Sequence, residues 1–191
     1  MPLKVTVKVS RITNLSDARY CAGMGVHLLG FTVVPGCEGY VAPDDFQQMR
    51  GWFNGPEVVA EIYDMVHPRN LHEVLENYRP DLLEGGLKEL NLLQEAGLPF
   101  LLNLQNLTAA ELSGQLGQQP NPAYIITRLT QPHQLRQLNE YASVLVELPP
   151  APSEALLQLP AAGFVLSGTD EERPGLKNYD SLSNILERLE E

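Results

Sequence analysis

Cysteine is nearly missing from this chain: Cys21 and Cys37 are the only two in 191 residues. Two are too few for a disulfide scaffold, and their spacing fits no metal motif. The natural expectation is one cysteine packed inside a helix and one left free in a loop. Histidine is also scarce. His27, His67, His72 and His133 are scattered, and no two share the helix-face spacing of metal ligands, so no metal site is expected. Basic residues are outnumbered, with 13 Lys and Arg against 24 Asp and Glu and a net charge of −11. That balance lacks the basic footprint needed to bind nucleic acid or an anionic membrane. A phosphorylated ligand would have to be held by local groups. No stretch approaches the ~18 uncharged apolar residues of a membrane span. The opening MPLKVTVKV has no signal-peptide core, so a cytoplasmic location is expected.

What is present is core material in a regular order. The chain is 43% hydrophobic and 19% charged, enough to bury a core without metals or disulfides and too apolar for general disorder. Residues 3–12 alternate, with Val5, Val7 and Val9 on one face and Lys4, Thr6, Lys8 and Ser10 on the other, which predicts a strand. Helices are expected over 17–24, ended by Gly25, and over 44–53, opened by Pro43. Further strands are expected over 27–34, 57–63, 81–84, 99–104, 123–129, 143–148 and 163–166. The remaining helices are expected over 70–78, 87–96, from Thr108, and over 132–141, 153–158 and 181–190. Thr108 and Glu111 form a capping-box pattern. Trp52 and Phe53, ending the second helix, suit core packing or a subunit contact.

Eight strands alternating with eight helices, joined by short loops and no linker, predict parallel pairing in one α/β domain. The simplest closure is a compact (β/α)₈ TIM barrel; an open doubly wound sheet is the alternative. Residues 163–177, GFVLSGTDEERPGLK, read as a strand, a Ser167-Gly168 turn, a polar loop, and Pro174-Gly175 opening the last helix. A strand-glycine-helix junction of this kind holds phosphates in barrels, because free backbone N–H groups face the anion.

Several short motifs, in order, resemble the phosphoribosylanthranilate isomerase family. They are Lys8-Val9-Ser10-Arg11-Ile12-Thr13, Asp17-Ala18, Gly25-Val26 with Leu29-Gly30-Phe31, and Tyr40-Val41. Near the end, Ser167-Gly168-Thr169-Asp170 and Pro174-Gly175-Leu176-Lys177 complete the likeness. The resemblance implies a small TIM barrel without a cofactor. It also implies an Amadori rearrangement in tryptophan biosynthesis, turning an aminoaldose phosphate into an aminoketose phosphate. That chemistry needs a base, an acid, a cation for the anthranilate carboxylate and a phosphate cradle.

The resemblance places Ser10 where the family has its cysteine base, followed by Arg11 in place of glycine. A thiol is readily tuned to a thiolate, whereas an unassisted serine is a poor base. The aspartate acid falls at Thr127 or Arg128, neither of them a useful general acid. The clamp arginine falls at Gly39 and the strand-four histidine at Gly85. The glycine pair of the phosphate cradle falls near Glu147 and Leu148, ahead of Pro149-Pro150, which have no N–H to offer. Only Ser167 and Gly168 keep the cradle, beside the acidic Asp170, Glu171 and Glu172.

Alternation gathers a set at the mouth: Lys8, Ser10, Glu61, Tyr63, Glu84, Asn103, Gln105, Thr127, Arg128, Glu147 and Ser167. Crowded carboxylates there are acid–base candidates, Glu84 or Glu147 with Lys8, or else groups that pair with one another. Two functional readings follow. One is an isomerase of the resembled family with its base, acid and clamp replaced. The other is a non-catalytic barrel binding a small phosphorylated or carboxylated ligand, or a protein.

Overall fold

Strand β1 (Thr6–Ser10) turns Val7 and Val9 outward and Lys8 and Ser10 inward, as its alternation predicts. It belongs to a computed structural model that describes residues 3–113, 121–168, 171–173, 176–177 and 179–190. After β1 come α1 (Leu15–Gly23), β2 (Leu28–Thr32), α2 (Pro43–Arg50), β3 (Glu57–Glu61), α3 (Pro68–Tyr78) and β4 (Leu82–Gly85). A 3₁₀ turn at Leu87–Glu89 leads into α4 (Leu90–Glu95), where one continuous helix was expected. Then follow β5 (Phe100–Gln105), α5 (Ala109–Ser113), β6 (Tyr124–Thr127) and α6 (Pro132–Leu138). The last barrel units are β7 (Ser143–Glu147), α7 (Glu154–Leu157), β8 (Gly163–Ser167) and α8 (Asp180–Arg188).

The eight strands pair in chain order, all parallel, and β8 returns to β1, so the expected (β/α)₈ barrel closes. The closing seam depends on a glycine. A Cβ on Gly163 would lie 1.8 Å from the Thr6 carbonyl oxygen. Two cores result. One lies between strands and helices and contains Phe31, Phe46, Phe100 and Phe164. The other fills the barrel, where Leu28, Val59, Leu82, Leu101, Ile126, Leu145 and Val165 form an apolar plug. The next inward positions toward the strands' C-terminal ends are Glu61, Glu84, Asn103, Arg128, Glu147 and Ser167, with Gly30 on β2. The register sets Thr32 beside Glu61 and Glu61 beside Glu84, so the plug is roofed by charge.

Of the expected capping box, the glutamate half forms: the Thr108 amide donates to Glu111 Oε2 at 2.8 Å, and the Thr108 hydroxyl donates to the same oxygen at 2.7 Å. After β8, where a plain loop was expected, β9 (Glu171–Arg173) and β10 (Leu176–Lys177) form a short antiparallel pair. The last helix therefore begins at Asp180. Thr169, Asp170, Pro174 and Gly175, which carry part of the motif reading, lie outside the described residues. Leu3 bridges Glu190, which brings the two chain ends together. Among the described residues, no helix is long and apolar enough to cross a membrane.

Candidate functional site

At the floor of the mouth, the Lys8 ammonium is fully buried. It donates to Ser10 Oγ at 2.5 Å and to Glu61 Oε1 at 2.7 Å, and lies 2.7 Å from Glu84 Oε2. The cluster extends outward on both sides. The Thr32 hydroxyl donates to Glu61 Oε2 at 3.1 Å, and Tyr63 donates to Glu84 Oε1 at 2.5 Å. Asn103 in turn donates its amide to the Tyr63 hydroxyl at 3.0 Å. Oε2 of Glu84 faces the Lys8 ammonium as a buried ion pair.

One ammonium serves two buried carboxylates, and this imbalance sets the electrostatics. Burial raises the Glu84 pKa above the carboxylate range; Lys8 opposes the shift and Glu61 adds to it. Burial works against the charge on Lys8, but Glu61 and Glu84 outweigh it, so its pKa rises and it stays an ammonium. Burial, then the Glu84 charge, raises the Tyr63 phenol. A charged Lys8 is no base and no nucleophile. Ser10, whose oxygen accepts from that ammonium, is held as a weaker base still.

Above the cluster is a cavity of about 690 Å³. On one side Arg128 grips Glu147 at two points, Nε to Oε2 at 2.9 Å and Nη2 to Oε1 at 2.7 Å. On the other, Arg11 stands 3.7 Å from Glu38. Arg11, Asp64 and Gln105 all line this cavity and all have left-handed backbone, with φ of 56°, 60° and 54°. Non-glycine residues held in that region store strain, and such strain clusters at functional sites.

The structure brings Ser10, Arg11, Glu84, Arg128, Glu147 and Ser167 to this one mouth, with Lys8 buried beneath it. Thr127 is a correction. Strand β6 points Ile126 into the barrel, so its neighbour Thr127 faces outward, fully buried. Its hydroxyl donates to the Gln105 carbonyl at 2.9 Å and accepts from the Leu129 amide at 3.1 Å. The phosphate cradle finds its expected donors engaged. The Gly168 amide donates to the Ser10 carbonyl, and the Leu148 amide donates to the Val165 carbonyl. Ser167 keeps an exposed position at the rim. At Gly85, an added Cβ would lie 2.9 Å from Glu89 Cβ, so the position has no room for an imidazole.

Sequence reasoning missed Thr32, hidden in the apolar run HLLGFTVV, and named Gly30 only as part of a family motif, not as room for the ion cluster. The usable signal was the two-residue step Leu28, Gly30, Thr32, which marks the inward face of β2. Buried Glu89 was also missed; it accepts from the Gly86 and Asp64 amides at 2.9 and 3.0 Å and pins the loop beside Tyr63. Among the described residues, no His, Cys, Asp and Glu group could hold a metal ion.

No protein-family model matches this chain, and no curated protein matches it by sequence. Solved structures do match. A phosphoribosyl anthranilate isomerase from Thermus thermophilus superposes with a TM-score of 0.73, covering 96% of this chain and 98% of that one at 20% identity. This chain has the isomerases' barrel. The Thermotoga maritima enzyme gives a TM-score of 0.76 at 17% identity, covering 97% of this chain and 98% of that one. Another isomerase was solved with reduced 1-(o-carboxyphenylamino)-1-deoxyribulose 5-phosphate. It reaches 0.77 at 17% identity and covers 96% of this chain and 97% of that one. The fold is shared end to end, and the mouth described above is what this sequence builds on it.

Proposed function

We propose that this chain is a ligand-binding barrel of the phosphoribosylanthranilate isomerase fold that lacks isomerase activity. The observation that carries the reading is the caged Lys8. The residue at the expected base position, Ser10, is one of three partners of a charged ammonium, so neither Ser10 nor Lys8 takes a proton at neutral pH.

Other features support it. The expected acid position, Thr127, faces away from the mouth. Gly39 supplies no cation for a carboxylate, and Arg128 is committed to Glu147. The Leu148 and Gly168 amides are engaged within the barrel. A phosphorylated ligand thus loses its two best anchors. What the mouth offers instead is neutral hydrogen bonding from Asn103, Gln105 and Ser167 around a polar floor. A small, hydroxyl-rich ligand suits such a lining, and the retained strain at Arg11, Asp64 and Gln105 supports a working site.

The test is loss of phosphoribosylanthranilate fluorescence with the purified chain, alongside an active isomerase. The expected trace is flat. Turnover above the uncatalysed background, lost in Ser10→Ala, would overturn the reading.

A further inference from the structure

We infer that the ligand of this mouth has two parts: a hydroxylated head above the ion cluster, and an uncharged apolar arm lying in a side lobe at the ends of β3, β4 and β5. The inference rests on the ligand-binding reading above and adds the arm. A second cavity, of about 520 Å³, opens beside the first. The two share Tyr63, Asp64, Asn103 and Gln105, so they meet along one wall. A ligand seated in the mouth can reach the lobe across that wall.

The wall is fixed in place. Asn103 donates one amide hydrogen to the Tyr63 hydroxyl at 3.0 Å and accepts from the Gln105 amide, also at 3.0 Å. The pairing of β5 with β6 shifts register between Asn103 and Gln105. Bulges of this kind re-aim side chains beside functional sites. Asp64 and Gln105 are both in the left-handed backbone region. The Asp64 and Gly86 amides donate to the two oxygens of buried Glu89, which ties the turn after β3 to the turn after β4. The lobe is thus preformed, as ligand sites usually are.

Its lining decides what enters. Among the described residues, its charges are matched: Glu89 by two amides, and Lys88 by Asp64 at 3.6 Å. Half-buried Leu87 and Leu107, with the Tyr63 ring, supply its apolar faces. Gln105 and Asn106 are exposed at its edge. A charged arm would give up water there and gain no unshared partner, whereas a ring or methylene chain gains by covering apolar surface. The head remains over the polar floor, where Gln105 and Ser167 offer hydrogen bonds.

The experiment is calorimetric titration of the full chain with three glucosides that share one head: methyl, phenyl and carboxyphenyl β-glucoside. Phenyl glucoside should bind about tenfold tighter than methyl glucoside, the equivalent of roughly 1.4 kcal/mol. The carboxyphenyl compound should show no such gain. Leu107→Asp, checked for fold by circular dichroism, should bring phenyl glucoside down to the affinity of methyl glucoside. If that variant fails to fold, wild type with labelled leucine methyls should still show nuclear Overhauser contacts from the phenyl protons to Leu87 and Leu107. Equal affinity of the phenyl and methyl compounds, a phenyl gain that survives Leu107→Asp, phenyl contacts only to other leucines, or tightest binding of the carboxyphenyl compound would overturn the arm and leave the ligand-binding reading standing. If none of the three binds, that reading falls with it.

Discussion

A methyl group on Gly30 would land 2.1 Å from Glu61 Oε1 and 2.6 Å from Lys8 Nζ. The absence of a side chain on β2 is thus what makes room for the buried ion cluster. Gly30→Ala must push the pair apart, and breaking a buried pair costs about 3–5 kcal/mol. Urea unfolding should show a loss of that size with an unchanged slope; a loss under 1 kcal/mol would mean the cluster shifts without strain. Glu84 makes a prediction about pH. Its pKa is raised in the fold, so the folded state holds its proton to higher pH than the unfolded chain does. Its contribution is therefore greatest in acid and is lost as pH rises through the folded value. Wild type should lose stability relative to Glu84→Gln as pH rises above the unfolded carboxylate value of 4.5; the opposite trend would contradict the assignment. The inward set Lys8, Ser10, Glu61 and Glu84 was legible because strand alternation alone names it. Their partnership was not, since it depends on register between β1, β3 and β4. Thr127 was misplaced because the sequence leaves the phase of β6 open, with both Thr127 and Arg128 assigned to the mouth, whereas the pleat lets only one of two neighbours face in.

At the scale of elements, the barrel is joined where its ends meet. Tyr179, at the N-cap of α8, donates to Asp17 Oδ1 at 2.7 Å and stacks on Tyr20 with ring centroids 4.3 Å apart. A contact between residues 162 positions apart fastens the last helix to the first. Tyr179→Phe keeps the stack and removes the donor to a buried carboxylate, a loss of about 1.5–3 kcal/mol for a hydrogen bond to a charged group. Hydrogen exchange should show α8 opening earlier in the variant; unchanged protection there would show that the stack alone suffices. The eight strand–helix units were legible from period-two apolar patterns punctuated by glycine and proline. The β9–β10 pair was not, because strands of three and two residues carry too little pattern to distinguish from a loop. The 3₁₀ turn before α4 was hidden for a related reason: Leu87–Glu89 continues the helical spacing, and the seating of Glu89 against two amides is a tertiary effect.

For the whole molecule, the frame and the mouth point in different directions. The barrel matches solved isomerases over nearly its full length, whereas the described mouth holds a surplus carboxylate, a caged lysine and engaged amides. The net charge of −11 reinforces the local field. The most direct measurement of this account is titration with reduced 1-(o-carboxyphenylamino)-1-deoxyribulose 5-phosphate, the compound held by a structural neighbour. It carries both a carboxylate and a phosphate, and among its described residues this mouth has no unshared cation for either. The account predicts no saturable heat at millimolar ligand. Stoichiometric binding displaced by inorganic phosphate would contradict it, because it would mean that this mouth does hold an anion.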